Sequence, residues 1–106
     1  MNIVGISACT VGIAHTYIAQ KKIEMAAKKA GHNVKIETQG TIGIENALTD
    51  DEIAQADIVL LAADVQVSGE DRFAGKKVVK VKTEIAVKSP NKLIEKLEQL
   101  VSENQK

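Results

Sequence analysis

A run of six apolar residues, Ile58-Val59-Leu60-Leu61-Ala62-Ala63, most restricts what this chain can become. A strand with one wet face alternates between apolar and polar residues. An unbroken run needs cover on both faces, as in the middle of a parallel sheet flanked by helices. Asp57 opens this segment and Asp64 closes it, so a buried strand is expected over 57–63.

The other elements follow from periodicity. Residues 2–6 contain a second apolar run, Ile3-Val4-Gly5-Ile6, and read as the first strand. From His15 to Ala30 the spacing predicts a helix, with Ala19, Ile23, Ala26 and Ala30 on one face. Gly31 is its stop, and His32 reads as a surface loop residue with no companion ligands for a metal. Val34 and Ile36 alternate with Lys35 and Glu37, which predicts an edge strand over 33–37. A loop rich in turn residues, Thr38 to Gly43, comes next, and a short helical segment falls within 44–56. There Thr49 and Glu52 have the spacing of a capping box. After the central strand, Val65 to Lys76 is a long connection. Lys77 to Lys82 is an outer strand, Thr83 to Lys88 a helical turn, and Ser89-Pro90 the start of a last helix. That helix is expected to reach about Val101, with Leu93, Leu97 and Leu100 on one face and a fraying tail from Ser102 to Lys106.

This order predicts one α/β domain over residues 1–106. Its sheet is a doubly wound, flavodoxin-like set of four parallel strands in the order 2-1-3-4, with helices on both faces and right-handed crossovers. No apolar run approaches the length of a membrane span, and no basic N-terminal segment leads into an apolar one, so neither a span nor a signal peptide is expected. Lys and Arg balance Asp and Glu at 14 each, and Tyr17 and Phe73 are the only aromatics. Such a chain offers neither the basic field nor the stacking surface of a nucleic-acid binder. A single cysteine excludes an internal disulfide, a CxxC redox pair and a cysteine-rich zinc site, and suits a reducing cytoplasm. No cofactor and no metal are expected.

That cysteine stands where the chemistry of such a fold belongs. Ser7-Ala8-Cys9-Thr10-Val11-Gly12-Ile13-Ala14-His15-Thr16 links the first strand to the first helix. The N–H groups and dipole at a helix N-terminus favour an anion, and the thiolate is the reactive form of a cysteine. The order 2-1-3-4 also puts the topological switch point beside Cys9. A nucleophilic sulfur in an anion-binding loop points to phosphoryl chemistry at Cys9, with Thr10, Val11, Gly12, Ile13, Ala14, His15 and Thr16 forming the loop. Gly12 admits close approach of the backbone, and His15 and Thr16 are candidate donors or caps. Thr38 and Gln39 emerge at the same end of the sheet if the strands are parallel. Asp64, at the end of the central strand, is a third accessory candidate.

Three function classes compete. A cysteine phosphatase of the form C-x5-R-[ST] would need arginine where His15 stands, and the only arginine is Arg72. A phosphocarrier needs the nucleophile and the cradle without efficient hydrolysis. A non-catalytic flavodoxin-like interaction module would leave Cys9 an inert core residue.

Cys9 through Tyr17, with Glu37-Thr38-Gln39-Gly40, Gly43-Ile44-Glu45-Asn46 and Asp71-Arg72-Phe73-Ala74-Gly75, closely resembles the fructose-type enzyme IIB of the bacterial sugar phosphotransferase system, over almost the whole chain and in the same order. The resemblance implies a phosphocysteine intermediate at Cys9. It implies a phosphohistidine on enzyme IIA as donor, and as acceptor a fructose-like sugar held by the membrane subunit, enzyme IIC. It further implies a cytoplasmic protein that meets the membrane through enzyme IIC. The family commonly has Pro-Thr after the cysteine, whereas this chain has Thr10-Val11, which alters the expected set of phosphate contacts.

Overall fold

The computed structural model describes residues 1–9, 13–40 and 43–104. Among them, five strands form one sheet: β1 (Asn2–Ala8), β2 (Asn33–Gly40), β3 (Gly43–Glu45), β4 (Ile58–Ala63) and β5 (Val78–Val81), in the spatial order β3-β2-β1-β4-β5. The helices are α1 (Ile13–Lys29), α2 (Asp50–Gln55), α3 (Thr83–Lys88) and α4 (Pro90–Asn104), and a 3-10 turn spans Glu70–Phe73.

The four expected strands are present and take their expected order as β2-β1-β4-β5, all parallel. The sheet is nevertheless mixed and five-stranded. Residues 43–45 pair antiparallel with β2, Thr38 opposite Glu45 and Gln39 opposite Ile44. A sequence pattern does not announce this strand, because all three of its residues are exposed and it is held by backbone pairing to β2 and by a distant partner, the Tyr17 hydroxyl that donates to Glu45. The strand covers the outer side of β2, so β2 is not the edge expected of it and runs on to Gly40.

β4 is buried along Ile58–Ala62, as an unbroken apolar run requires. Ile58, Leu60 and Ala62 face one way, into a cluster with Ile3, Ile23 of α1, Ala86 of α3 and Leu97 of α4. Val59 and Leu61 face the other way, toward Ile6, Ile53 of α2 and Phe73. Gly5 lets β1 lie against β4, since a Cβ there would fall 2.2 Å from the Leu60 carbonyl oxygen.

At the helix ends, local chemistry decides. α2 begins with the expected capping box: Glu52 N–H donates to Thr49 Oγ1 (3.2 Å) and Thr49 N–H to Glu52 Oε1 (2.8 Å). α1 ends at Lys29, so Ala30 is exposed and Ala27 joins Ala19, Ile23 and Ala26 in the core. α4 continues past Val101 to Asn104, because Val101 is itself a buried anchor. His32 is not a surface loop residue. Its side chain is 13% exposed, with Nδ1 3.1 Å from the Met1 ammonium and Nε2 2.8 Å from Glu98 Oε2, which ties the chain's first residue to α4.

Candidate active site

Parallel strands bring their C-terminal ends to one edge of the sheet, and ligands of such folds bind there. β1 is followed directly by Cys9 and β4 directly by Asp64; β5 is followed by Lys82 and then Thr83, the first residue of α3. Register brings the first two together: Ala8 lies opposite Ala63, and Asp64 N–H donates to the Ala8 carbonyl at 3.0 Å.

The side chains converge. Cys9 Sγ donates to Asp64 Oδ2 at 3.1 Å. Thr83 binds the same carboxylate twice, its N–H to Oδ1 at 3.0 Å and its hydroxyl to Oδ2 at 2.6 Å. The Thr83 hydroxyl lies 3.9 Å from Cys9 Sγ. Asp64 thus accepts an N–H that the first turn of α3 leaves without a helical partner. Thr83 is fully buried, while Cys9 is only partly covered. The sulfur therefore stands at the surface on a rigid base made from three strand ends.

On one side Cys9 lines a cleft of about 490 Å³ with Gln39, Gly43, Ile44, Val65 and Ser68. On the other, Asp64 lines a cleft with Lys82, Glu84 and Lys88. Hydrogen bonds across β2 brace the first cleft. Gln39 is held by Ser68 at both ends: its Nε2 donates to the Ser68 carbonyl (2.9 Å) and its Oε1 accepts Ser68 N–H (2.8 Å). Its Nε2 also donates to Glu37. Glu37 is 1% exposed and receives both terminal nitrogens of Arg72 at 3.0 Å each, together with Leu48 N–H at 2.9 Å. Burial alone would raise the Glu37 carboxyl. The bonds from Arg72, Gln39 and Leu48, with the Arg72 charge, outweigh it and hold the carboxyl below its usual range. Arg72 is held further by the Gly69 carbonyl, and Gly69 adopts φ 76°, where a Cβ would meet the guanidinium at 2.6 Å.

Of the residues expected at the site, Cys9 and Asp64 come into contact and Gln39 lines the cleft. Thr38 is buried, and its side chain does not line the cleft. Thr16 is also buried; its carbonyl accepts from Ser7 Oγ at 2.8 Å, and its Oγ1 has no partner among the described residues. Thr10, Val11 and Gly12 lie outside the described residues, as do the side chains of Ile13, Ala14 and His15, whose backbone opens α1. Sequence reasoning missed Thr83 and the Glu37–Arg72 pair. The signal for Thr83 was its place just past a third parallel strand, matching that of Cys9 and Asp64. Among the described residues no group of three or more His, Cys, Asp or Glu side chains is arranged to hold a metal, and no helix is long and apolar enough to cross a membrane.

The family model for the lactose/cellobiose-specific IIB subunit of the phosphotransferase system (PTS) matches residues 4–96. The PTS system fructose-like EIIB component 2 of Escherichia coli K12 is 47% identical over 96 residues, covering 91% of each chain. A fructose-like PTS system EIIBC component of the same organism is 44% identical over 99 residues; the match covers 92% of this chain and 20% of the larger protein. Among solved structures, the solution structure of an enzyme IIB subunit of a PTS system from E. coli K12 superposes with a TM-score of 0.91 at 35% identity, covering 99% of this chain and 97% of that one. A domain of a fructose-specific IIABC component from Borrelia burgdorferi gives 0.84 at 53% identity, covering 89% of each.

Proposed function

We propose a phosphocysteine mechanism for this chain, which belongs to the IIB family of the phosphotransferase system and is of the fructose-like type. Cys9 Sγ attacks the phosphorus of a phosphohistidine on enzyme IIA. The S–P bond forms as the N–P bond breaks. A hydroxyl of a fructose-like sugar held by enzyme IIC then attacks the same phosphorus, forming O–P and releasing the sulfur. Splitting the transfer this way replaces one hard step with two easier ones. Residues 10–16 supply the N–H and hydroxyl donors that cradle the phosphoryl oxygens, with Thr10 in place of the family's common second-position hydroxyl. The chain works as one unit over residues 1–106, on the cytoplasmic side of the membrane, and reaches that membrane through enzyme IIC.

The observation that carries this reading is the position of Cys9. Its sulfur is partly exposed at the strand-to-helix junction, beside a cleft open enough to receive a partner's side chain. The names of the relatives support the acceptor, because IIB sequence is joined to IIC in the E. coli EIIBC component. A phosphatase reading loses its arginine: Arg72, the only one in the sequence, is bound bidentately to Glu37. Gln39 with Val65, Gln66 and Ser68 form the cleft wall against which enzyme IIA docks.

The test is intact-mass and peptide mass spectrometry after incubation with phosphoenolpyruvate, the general phosphotransferase proteins and enzyme IIA. A single acid-sensitive phosphoryl adduct on Cys9, absent from Cys9→Ser, is expected. An adduct on another residue, or transfer that survives Cys9→Ser, refutes the assignment.

A further inference from the structure

We infer that Asp64 and Thr83 form a proton relay for Cys9. Asp64 holds the thiol's proton while the sulfur carries a phosphoryl group, and Thr83 sets the carboxylate and exchanges its own hydrogen bond as the proton arrives. The inference rests on the phosphocysteine reading and assigns the proton that reading leaves unplaced.

The geometry carries the argument. The thiol donates to Asp64 Oδ2 at 3.1 Å, so an acceptor for its proton is already in contact. As sulfur bonds to phosphorus and the N–P bond breaks, the thiol proton passes to Oδ2, and the histidine of enzyme IIA, protonated beforehand on its other ring nitrogen, departs as neutral imidazole. The product places a phosphoryl dianion against Asp64. Two anions in contact cannot both stay charged without cost, which favours keeping the proton on the carboxyl. When the sugar oxygen takes the phosphorus, the hydroxyl's own proton passes to water, the S–P bond breaks, and the departing sulfur recovers its proton from Asp64. Both half-reactions balance, and Asp64 ends as it began.

Thr83 makes the exchange possible without moving the backbone. Its N–H fixes Oδ1 at 3.0 Å, an oxygen that stays unprotonated throughout. Its hydroxyl donates to Oδ2 at 2.6 Å, the atom that gains the proton. Once Oδ2 is protonated it becomes the donor and the Thr83 oxygen the acceptor. The Thr83 hydrogen is then released to turn toward the phosphoryl oxygens on Cys9 Sγ, 3.9 Å from its own oxygen. Among the described residues, Lys82, Glu84 and Lys88 line the cleft that Asp64 borders. Glu84 is bonded to Lys88 at 2.6 Å, so that carboxylate already has a cation. Asp64 is a catalytic residue on this account, since it touches the reacting sulfur; Thr83 positions Asp64 before transfer and touches the phosphoryl group after it.

The experiment is rapid-quench measurement of single-turnover transfer from phosphorylated enzyme IIA to Cys9, from about pH 6 to about pH 9. Asp64→Asn keeps the shape and removes the proton acceptor. It is expected to slow transfer about 10²-fold at neutral pH, with the deficit narrowing as alkali ionises the thiol directly. Thr83→Val is expected to slow transfer about tenfold with the same steepened pH profile, and Thr83→Ser to restore it. Thr83→Ala serves where Thr83→Val does not fold. Wild-type rates in Asp64→Asn, or variant profiles that run parallel to the wild type, overturn the relay. If the wild type still shows its Cys9 adduct in that case, the phosphocarrier reading survives. A wild-type protein with no adduct on Cys9 removes both.

Discussion

Arg72→Met tests whether the Glu37–Arg72 pair holds the cleft wall in place. Glu37 is 1% exposed and its carboxylate takes two guanidinium bonds of 3.0 Å, while 26% of the Arg72 side chain is exposed. Removing the partner of a buried charge costs about 3–5 kcal/mol, and the partial exposure of Arg72 argues for the lower end, about 3 kcal/mol. The guanidinium carbon also lies 5.3 Å from the centre of the Phe73 ring, and methionine forfeits that cation–π contact, worth about 0.5–1 kcal/mol. A chain of 106 residues has a total stability of about 5–15 kcal/mol, so the variant loses a large fraction of it and melts about 10–20 °C lower. The pH dependence has a definite sign. The folded-state value of Glu37 is depressed, so its stabilisation is present above its unfolded value of about 4.3 and is lost as pH falls through the folded one. In Arg72→Met the carboxyl lacks the guanidinium and protonates more readily, so the difference from wild type is greatest at neutral pH and shrinks toward about pH 4. Urea unfolding followed by circular dichroism at both pH values measures it. Adding Glu37→Gln to Arg72→Met should recover part of the loss, since an amide needs no counter-charge. A loss below about 1 kcal/mol, or one equal at both pH values, refutes the reasoning.

Two further substitutions probe the frame that carries the site. Gly5→Ala drives a Cβ to 2.2 Å from the Leu60 carbonyl, which must push β1 from β4; a loss of about 3 kcal/mol by denaturant unfolding is expected, and a neutral result would mean the strands separate freely. Thr49→Ala removes one half of the capping box on α2 and should cost about 1 kcal/mol by the same measurement, with a loss under a few tenths counting against the cap.

The sequence makes the central strand legible because six successive apolar side chains have no other stable home, and that strand fixes most of the sheet around it. The capping box and the start of α4 at Pro90 are equally legible, since each depends on a local exchange of hydrogen bonds or on a fixed φ. β3 is not, because its residues are exposed and its order comes from backbone pairing to β2. His32 and Glu37 escape a local reading for a related reason. A histidine after a helix-stopping glycine and a glutamate alternating with valine and isoleucine both look solvated. Tertiary partners make the burial possible: Met1 and Glu98 for His32, and Arg72 with Leu48 N–H and Gln39 for Glu37.

The same distinction governs the site. Cys9 is legible because its position between strand and helix carries chemical meaning within one stretch of sequence. Asp64 was legible as the end of the buried strand, but its partner was not. Thr83 lies 74 residues from Cys9, and nothing within 83–88 marks it as more than a helix start. Parallel topology joins the three: strands that all point one way deliver the residues following them to a common edge, whatever their separation in sequence. With Asp64 anchored through the first N–H of α3, the Cys9 sulfur meets an acceptor whose second oxygen is already fixed.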